Sequence, residues 1–265
     1  MKDIKQNILP GLTVALVSVP LSTALAIASG LQPMKGLSAG IYGPLMGGLF
    51  GGSNYNILGP AGALVNVLNK FSTENGPEIV PYLAFFAGVF SMIVWLLKLE
   101  KYCMLIPVAV LEGFSFSVAI AIGFGQFNFA LGLKGIPKHK EFYNNVYETF
   151  SHIGETAPKE FVPFFILFVM LWSLLKFKPG KPWIVMIAFI GMAYGFITET
   201  FFPEIKPFIL KEAYPAMNDP QIIDFTYAKG EYSKMTIFIG SLEVAFVAVL
   251  ETLISARIAD GLTGK

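Results

Sequence analysis

Long uncharged runs, separated by short charged segments, dominate the pattern of apolar and polar positions along this chain. A membrane-spanning helix needs about 20 mostly apolar residues. Both Ile8–Met34 and Gly36–Asn69 exceed that length without a charged side chain. We therefore predict an all-α membrane protein with eight apolar segments, the third of them short, at residues 8–30, 36–51, 59–71, 79–97, 103–132, 161–177, 182–203 and 235–257.

The composition narrows the class of protein. Of the 265 residues, 54% are hydrophobic and 14% are charged, whereas a soluble domain carries about 25% charged residues. The net charge of +1 supplies no basic field for nucleic acid. One cysteine and two histidines argue against a disulfide framework and against a metal centre. No nucleophile, base and orienting group stand at an interpretable spacing, so we predict neither an enzyme nor a cofactor.

The distribution of lysines predicts the orientation of the chain in the membrane. With the N-terminus inside, the inner loops are short and basic, and the lysines of the outer stretches 134–160 and 203–234 are balanced by acidic residues. Positive charge favours the cytoplasmic side. We therefore predict a multi-pass protein of the plasma (inner) membrane with a cytoplasmic N-terminus. The lysines placed inside are Lys2, Lys5, Lys98, Lys101, Lys176, Lys178, Lys181 and Lys265.

Residues Gly43–Leu64 are dense in glycine and proline at membrane depth. Non-helical backbone inside a bilayer is tolerated where protein buries it or water lines it, and transporters build sites there. We expect extended backbone at 55–58 and a helix that begins near Pro60, whose first-turn N–H groups attract anions. The alternative is that the glycines only allow close helix packing. The candidate anion-binding residues are Pro60, Ala61, Gly62 and Ala63.

Acidic residues within the predicted spans are a second unusual feature, because a carboxylate at the bilayer centre is costly. Glu251 and Ser255 are four residues apart and share a helix face, whereas Glu243 lies about 80° around the helix from Glu251. A carboxylate beside a hydroxyl can bind a proton or a cation. The alternative is a structural glutamate paired with a helix or with Arg257. For Glu112, a packing or gate role is as open as any other role.

Four motifs follow one another in order over nearly the whole chain. They are Pro10–Ala15 with Val19–Leu31, Gly51–Ser53 with Gly59–Ala63, Ile106–Pro107 with Glu112–Phe114, and Ala256–Thr263. Together they resemble the first, third, fifth and eighth spans of the sulfate permease (SulP) anion transporter family.

This resemblance implies a uracil-permease-like fold of two inverted seven-span repeats, with a core domain and a gate domain that move one anion by an elevator-like step. This chain would then hold the first repeat and the eighth span, with a broken third segment. The rest of the second repeat and a STAS domain would be absent, so we expect a fragment or a truncated gene product. In the family the anion sits between the third and tenth broken helices, and only Pro60, Ala61, Gly62 and Ala63 carry over.

The resemblance also bears on the coupling ion. The position of Glu251 is an Asp in sodium-coupled bicarbonate members and commonly Glu elsewhere, which favours protons. Ser255 still offers the hydroxyl of a sodium site, so both coupling ions stay open. Ala61 replaces the threonine of the frequent Gly-Pro-Thr form, which leaves the choice of anion open.

We therefore expect proton-coupled secondary active transport of a small anion, by symport or by exchange. Sulfate is the first candidate, and bicarbonate or a dicarboxylate is the alternative. A nucleobase permease of the same fold and a non-transporting, anion-sensing membrane scaffold are the competing functions. The expected partners are a small inorganic anion, a coupling proton or sodium ion and the lipid bilayer. A homodimer is left open, and no nucleic acid or metal is expected.

Overall fold

The computed structural model describes residues 2–51, 58–99, 101–102, 107–137, 139, 141–179, 183–205, 207, 212, 214 and 231–263. These residues form helices and no β-strand, which confirms the predicted all-α class. One-turn 3₁₀ helices stand at Gly62–Leu64, Pro77–Ile79, Ile153–Glu155 and Pro203–Ile205. The α-helices are α1 (Lys2–Ala28), α2 (Pro33–Phe50), α3 (Val65–Asn75), α4 (Val80–Leu96), α5 (Val108–Gly125), α6 (Phe127–Ala130), α7 (Phe142–Ser151), α8 (Pro158–Phe177), α9 (Trp183–Phe201) and α10 (Lys234–Thr263).

Within the described residues, 5 helical segments are long and apolar enough to cross a membrane. They fall on the first, fourth, sixth, seventh and eighth predicted segments. A shorter apolar helix, Phe116–Ala130, lies in the fifth. The second and third predicted segments overlap the helices α2 and α3. Neither helix is among the 5 candidate spans, so a count of eight crossings stays a prediction. The 5 candidate spans are Pro10–Ala28, Pro77–Leu96, Pro158–Phe177, Trp183–Phe201 and Lys234–Ala256.

The chain forms two compact units. The first unit comprises Met1–Leu21, Gly125–Lys138 and Tyr143–Pro220. The second unit comprises Ser22–Phe124, His139–Phe142 and Gln221–Lys265. All candidate site residues from the sequence therefore belong to the second unit.

In the second unit, α10 packs most extensively on α4, and it also contacts α3 and the Gly62–Leu64 turn. Gly240 makes this approach close. A Cβ at Gly240 would lie 2.8 Å from Leu83 Cδ2 and 2.9 Å from Phe71 Cζ, so a larger residue would push α10 away. The buried core here consists of Phe71, Ile79, Leu83, Ala87, Val244 and Ala245.

The connection between α1 and α2 anchors α3. Gly30 has a φ of +76°, which a side chain would strain, and it turns the chain out of α1. A Cβ at Gly36 would clash with the backbone oxygen of Ser22, so α2 crosses α1 at close range. The Ser72 hydroxyl of α3 donates a hydrogen bond of 2.7 Å to the Ser29 carbonyl at the end of α1. The helix that follows the broken segment is thereby held at its far end.

In the first unit, α8 packs on α9 and on α6. The chain reaches α8 through a tight joint, in which the Ala157 N–H donates to the Leu131 carbonyl at 3.0 Å. Gly132, with a φ of +67°, lies directly against Glu160, because a Cβ there would be 2.8 Å from the Glu160 Cβ. The ends of α6 and α8 are therefore fastened together.

Candidate functional site

The broken third segment begins its helix later than the sequence predicted. Pro60 and Ala61 are not helical, and the first helical turn is Gly62–Leu64. The expected start near Pro60 is therefore wrong by two residues. Ala61 is extended, with φ −110° and ψ 128°, and caps the turn, because its carbonyl accepts the Leu64 N–H at 3.2 Å.

The stretch expected to be extended is only partly described. Of residues 55–58, only Leu58 is described, and it is not helical; 55–57 lie outside the described residues. Upstream, the breaker-rich run is helical as far as Phe50, where α2 ends. The described non-helical backbone of this segment is therefore Gly51 and residues 58–61.

Two glycines of α2 make room for the non-helical backbone. A Cβ at Gly43 would lie 3.4 Å from the Gly59 Cα, and a Cβ at Gly47 would lie 2.7 Å from the Leu58 Cδ1. Because these glycines are four residues apart, they share one face of the helix. The Gly59 backbone and the Leu58 side chain, which precede the candidate site, thus pack along a glycine face of α2.

Gly62 packs against α5. A Cβ at this position would clash with the Ile122 Cδ1 and lie 3.4 Å from the Val118 Cγ1. Close helix packing, the alternative considered from the sequence, therefore accounts for the glycine at this position. A substitution of Gly62 by a large residue would displace α5 before it could report on a ligand.

The geometry of the turn determines which backbone donors are available. The N–H of Leu64 donates to Ala61, and the N–H of Val65 donates to Gly62. The N–H groups of Gly62 and Ala63 come earlier in the turn and have no acceptor within it. Of the four predicted residues, Gly62 and Ala63 thus present helical donors, while Pro60 and Ala61 form the extended lead.

Glu251 lies on α10, in the same unit as the turn. Its side chain is half-buried, and within the described part of the chain its buried Oε2 atom has no hydrogen-bond partner. Ser255, one helical turn later, is exposed. The side chain of Arg257, the partner considered from the sequence, lies outside the described residues. α10 itself contacts the Gly62–Leu64 turn.

Glu243 has a partner that sequence reasoning missed. Its Oε1 lies 3.6 Å from the Nζ of Lys70, with side chains 39% and 46% exposed respectively. The Lys70 Nζ also lies 5.0 Å from the centre of the Phe71 ring. Lys70 is the first charge after the uncharged run Gly36–Asn69, which was the available signal, but its partner could not be read from spacing.

Two further sequence interpretations concern Glu112 and metals. The backbone of Glu112 belongs to α5, and its side chain lies outside the described residues. Among the residues that are described, no three His, Cys, Asp or Glu side chains come together as metal ligands.

A multi-pass helical membrane protein has the features of a membrane carrier when an interrupted helix lies beside a helix with glutamates inside its span. The sequence profile of the sulfate permease family matches residues 4–265. The chain belongs to this family, which consists of transporters and not of enzymes, and the resemblance predicted from the four motifs is confirmed.

Three curated relatives illustrate the similarity. YvdB of Bacillus subtilis (strain 168) is 29% identical over 266 residues, which cover 100% of this chain and 49% of the relative. The sodium-independent sulfate anion transporter of Bos taurus is 34% identical over 179 residues, which cover 68% of this chain and 29% of the relative. The bicarbonate transporter BicA of Picosynechococcus sp. (strain ATCC 27264 / PCC 7002 / PR-6) is 25% identical over 288 residues, which cover 99% of this chain and 47% of the relative. The chain spans about half the length of YvdB and BicA.

A solved structure matches the fold. The transmembrane domain of a cyanobacterium bicarbonate transporter BicA superposes with a TM-score of 0.64 at 22% sequence identity, over 96% of this chain and 65% of that chain. This likeness confirms the all-helical class and a match to the fold of that transmembrane domain, while the predicted span count and the inverted seven-span repeats stay predictions.

Proposed function

We propose that this protein carries out secondary active transport of a small anion, with sulfate as the first candidate substrate and bicarbonate or a dicarboxylate as alternatives. Membership of the sulfate permease family supports this function. The names of two relatives, a sulfate anion transporter and a bicarbonate transporter, support the class of substrate. The transport step would be an elevator-like movement. The chain would cross the membrane eight times, starting from a cytoplasmic N-terminus.

The observation that carries this proposal is the start of the broken helix. The N–H groups of Gly62 and Ala63 have no acceptor within the turn, and the aligned peptide dipoles add partial positive charge there. α5 packs on one side of the turn through Ile122, and α10 contacts it as well. The anion would accept hydrogen bonds from these backbone groups, next to the extended residues Pro60 and Ala61. A second broken helix, outside this chain, would complete the site.

Glu251 is the group to which we assign ion coupling. Its unpartnered Oε2 is a buried oxygen that a proton or a cation can satisfy. A proton would neutralise the Glu251 carboxylate, so that this side chain would not repel an anion bound at the Gly62–Leu64 turn in the same unit. In the sodium alternative, the hydroxyl of Ser255 would be a second ligand, which would require this exposed side chain to turn towards Glu251.

A flux experiment on the whole protein tests this function. The full-length protein is reconstituted into liposomes, and uptake of radiolabelled sulfate is followed under a proton gradient and, separately, under a sodium gradient. We expect saturable uptake that an inward proton gradient accelerates and that unlabelled sulfate inhibits more than bicarbonate or a dicarboxylate does. Specific anion binding with no flux of any tested anion would instead support the non-transporting scaffold. Uptake of a nucleobase, together with no uptake of any tested anion, would support the nucleobase permease.

A further inference from the structure

α7 exposes an aromatic face outside the 5 candidate spans. Tyr143, Tyr147 and Phe150 follow one another at helical spacings of four and three residues, so they lie on one side of the helix. Their exposed fractions are 66%, 73% and 48%. Three large aromatic side chains on one exposed face of a ten-residue helix form a surface typical of an interaction site.

The opposite side of α7 is fastened to α6. Thr149 is buried, and its hydroxyl is hydrogen-bonded to the Asn128 side chain of α6 and donates to the Asn145 carbonyl at 2.8 Å. At the edge of the aromatic face, the ring of Phe150 lies 6.5 Å from the ring of Phe127. Because α7 docks through the side that bears Thr149, the orientation of its aromatic face is determined by these contacts.

The docking point lies where two apolar helices end. α6 closes the apolar segment Phe116–Ala130, and the candidate span Pro158–Phe177 begins just after α7. The two ends are joined by the hydrogen bond from Ala157 to Leu131. They are also joined by the ion pair Lys134–Glu160, whose Nζ and Oε1 atoms are 3.8 Å apart. A change from apolar to charged residues marks the edge of the hydrocarbon region, so α7 is held at that level.

The apolar surface continues from this edge into α8. No residue in the apolar window of Pro158–Phe177 is buried inside the protein, and Phe164, Phe165 and Phe168 are exposed. For a helix of this composition, the surrounding medium is lipid. The aromatic face of α7 is thus tied to the end of a helix whose apolar surface faces the bilayer.

We propose that α7 lies in the polar–apolar interface of the bilayer, on the side where α8 begins, with Tyr143, Tyr147 and Phe150 immersed between phospholipid headgroups and acyl chains. Tyrosine suits this depth because its ring is apolar and its hydroxyl reaches water and headgroups, which is why Tyr and Trp form belts at membrane interfaces. An amphipathic helix binds a membrane by the same burial of one face. α7 would fix the depth of the joint between α6 and α8.

Spin-label accessibility in the full-length protein tests the proposal. The protein is made without cysteine and reconstituted in vesicles of phosphatidylcholine and phosphatidylglycerol, and nitroxide labels are attached to Tyr147→Cys and to the control Glu155→Cys. Glu155 is exposed and follows α7 within a few residues. We expect the label at Tyr147 to collide with oxygen several-fold more often than with a water-soluble nickel complex, and the label at Glu155 to show the reverse preference.

Two results would overturn the proposal. If the labels at Tyr147 and Glu155 both collided more often with the nickel complex than with oxygen, the aromatic face would lie in water. Spin–spin broadening at Tyr147 that disappears on dilution with unlabelled protein would mean that a second copy covers the face. A second variant, Tyr143→Cys, guards against a local effect of one label, because it lies on the same face and must show the same oxygen preference.

Discussion

Lys70 of α3 and Glu243 of α10 form an ion pair, with 3.6 Å between Nζ and Oε1. Glu243 lies inside the candidate span Lys234–Ala256, where an unpaired carboxylate costs about 2.5 to 3.5 kcal/mol on insertion scales. Lys70 supplies the compensating charge. The pair links α3, which follows the Gly62–Leu64 turn, to α10, which bears Glu251.

Removal of one partner should therefore destabilise the protein more than removal of both. We expect Lys70→Met to lower the free energy of unfolding by about 2.5 kcal/mol, the lower end of the cost of an unpaired carboxylate in a span, because the pair is partly exposed. Adding Glu243→Gln should restore most of the loss. Thermal unfolding of the two single variants and the double variant in detergent measures this. A double variant no more stable than Lys70→Met would show that the two charges are not coupled.

The packing of Gly62 gives a second prediction. Gly62→Ala should destabilise the protein by about 1 to 3 kcal/mol, the usual range for overpacking, since the new Cβ would meet the Ile122 Cδ1. Ile122→Val removes that methyl group, so the double variant should regain stability. The same unfolding assay applies. If Gly62→Ala is harmless by itself, the turn does not pack on α5 as closely as described.

Ala61 offers a test of the anion site that leaves this packing intact. Ala61 is extended, a conformation that β-branched residues favour. Threonine and valine have nearly the same shape, so Ala61→Thr and Ala61→Val differ only by a hydroxyl group in place of a methyl group. A hydrogen bond to a charged group contributes about 1.5 to 3 kcal/mol. We therefore expect the KM for sulfate uptake to be about tenfold lower for Ala61→Thr than for Ala61→Val. Equal KM values would place the anion away from residue 61.

Glu251→Gln should separate transport from coupling. The amide resembles the protonated carboxyl, so anion exchange should continue while acceleration by an inward proton gradient disappears. Glu243→Gln is the matched control on the same helix and should keep the pH dependence, because Glu243 is paired with Lys70. Uptake into liposomes at several external pH values, with and without sodium, gives the readout. Wild-type uptake that requires sodium and ignores pH would return Glu251 and Ser255 to a cation site.

The predicted orientation can be tested by labelling single cysteines in a cysteine-free protein. A membrane-impermeant maleimide should label Glu155→Cys in intact cells and Lys178→Cys only after permeabilisation, because the lysine-rich loops are expected inside. Both positions are exposed. Labelling of Lys178→Cys in intact cells would invert the topology.

Sequence patterns predicted much of the fold of this protein. A bilayer leaves no water to satisfy backbone groups, which favours helices along long uncharged runs, and 5 of the predicted segments coincide with candidate spans. The four motifs also identified the family, because they occur in order across the chain. The glycine- and proline-rich run drew attention to residues 60–63, and the cost of a carboxylate within a span drew attention to Glu251; the functions of both remain predictions.

The sequence by itself therefore determined the helical class, the family and the approximate position of the break. Only the tertiary structure decided that the helix begins at Gly62, with an extended Ala61 as its cap, that α5 fills the space beside Gly62, and that Lys70 neutralises Glu243. The packing of α5 beside Gly62 and the Lys70–Glu243 pair depend on contacts between residues far apart in the chain. Periodicity and spacing report which face of a helix a residue occupies, but they do not report which other helix packs against that face.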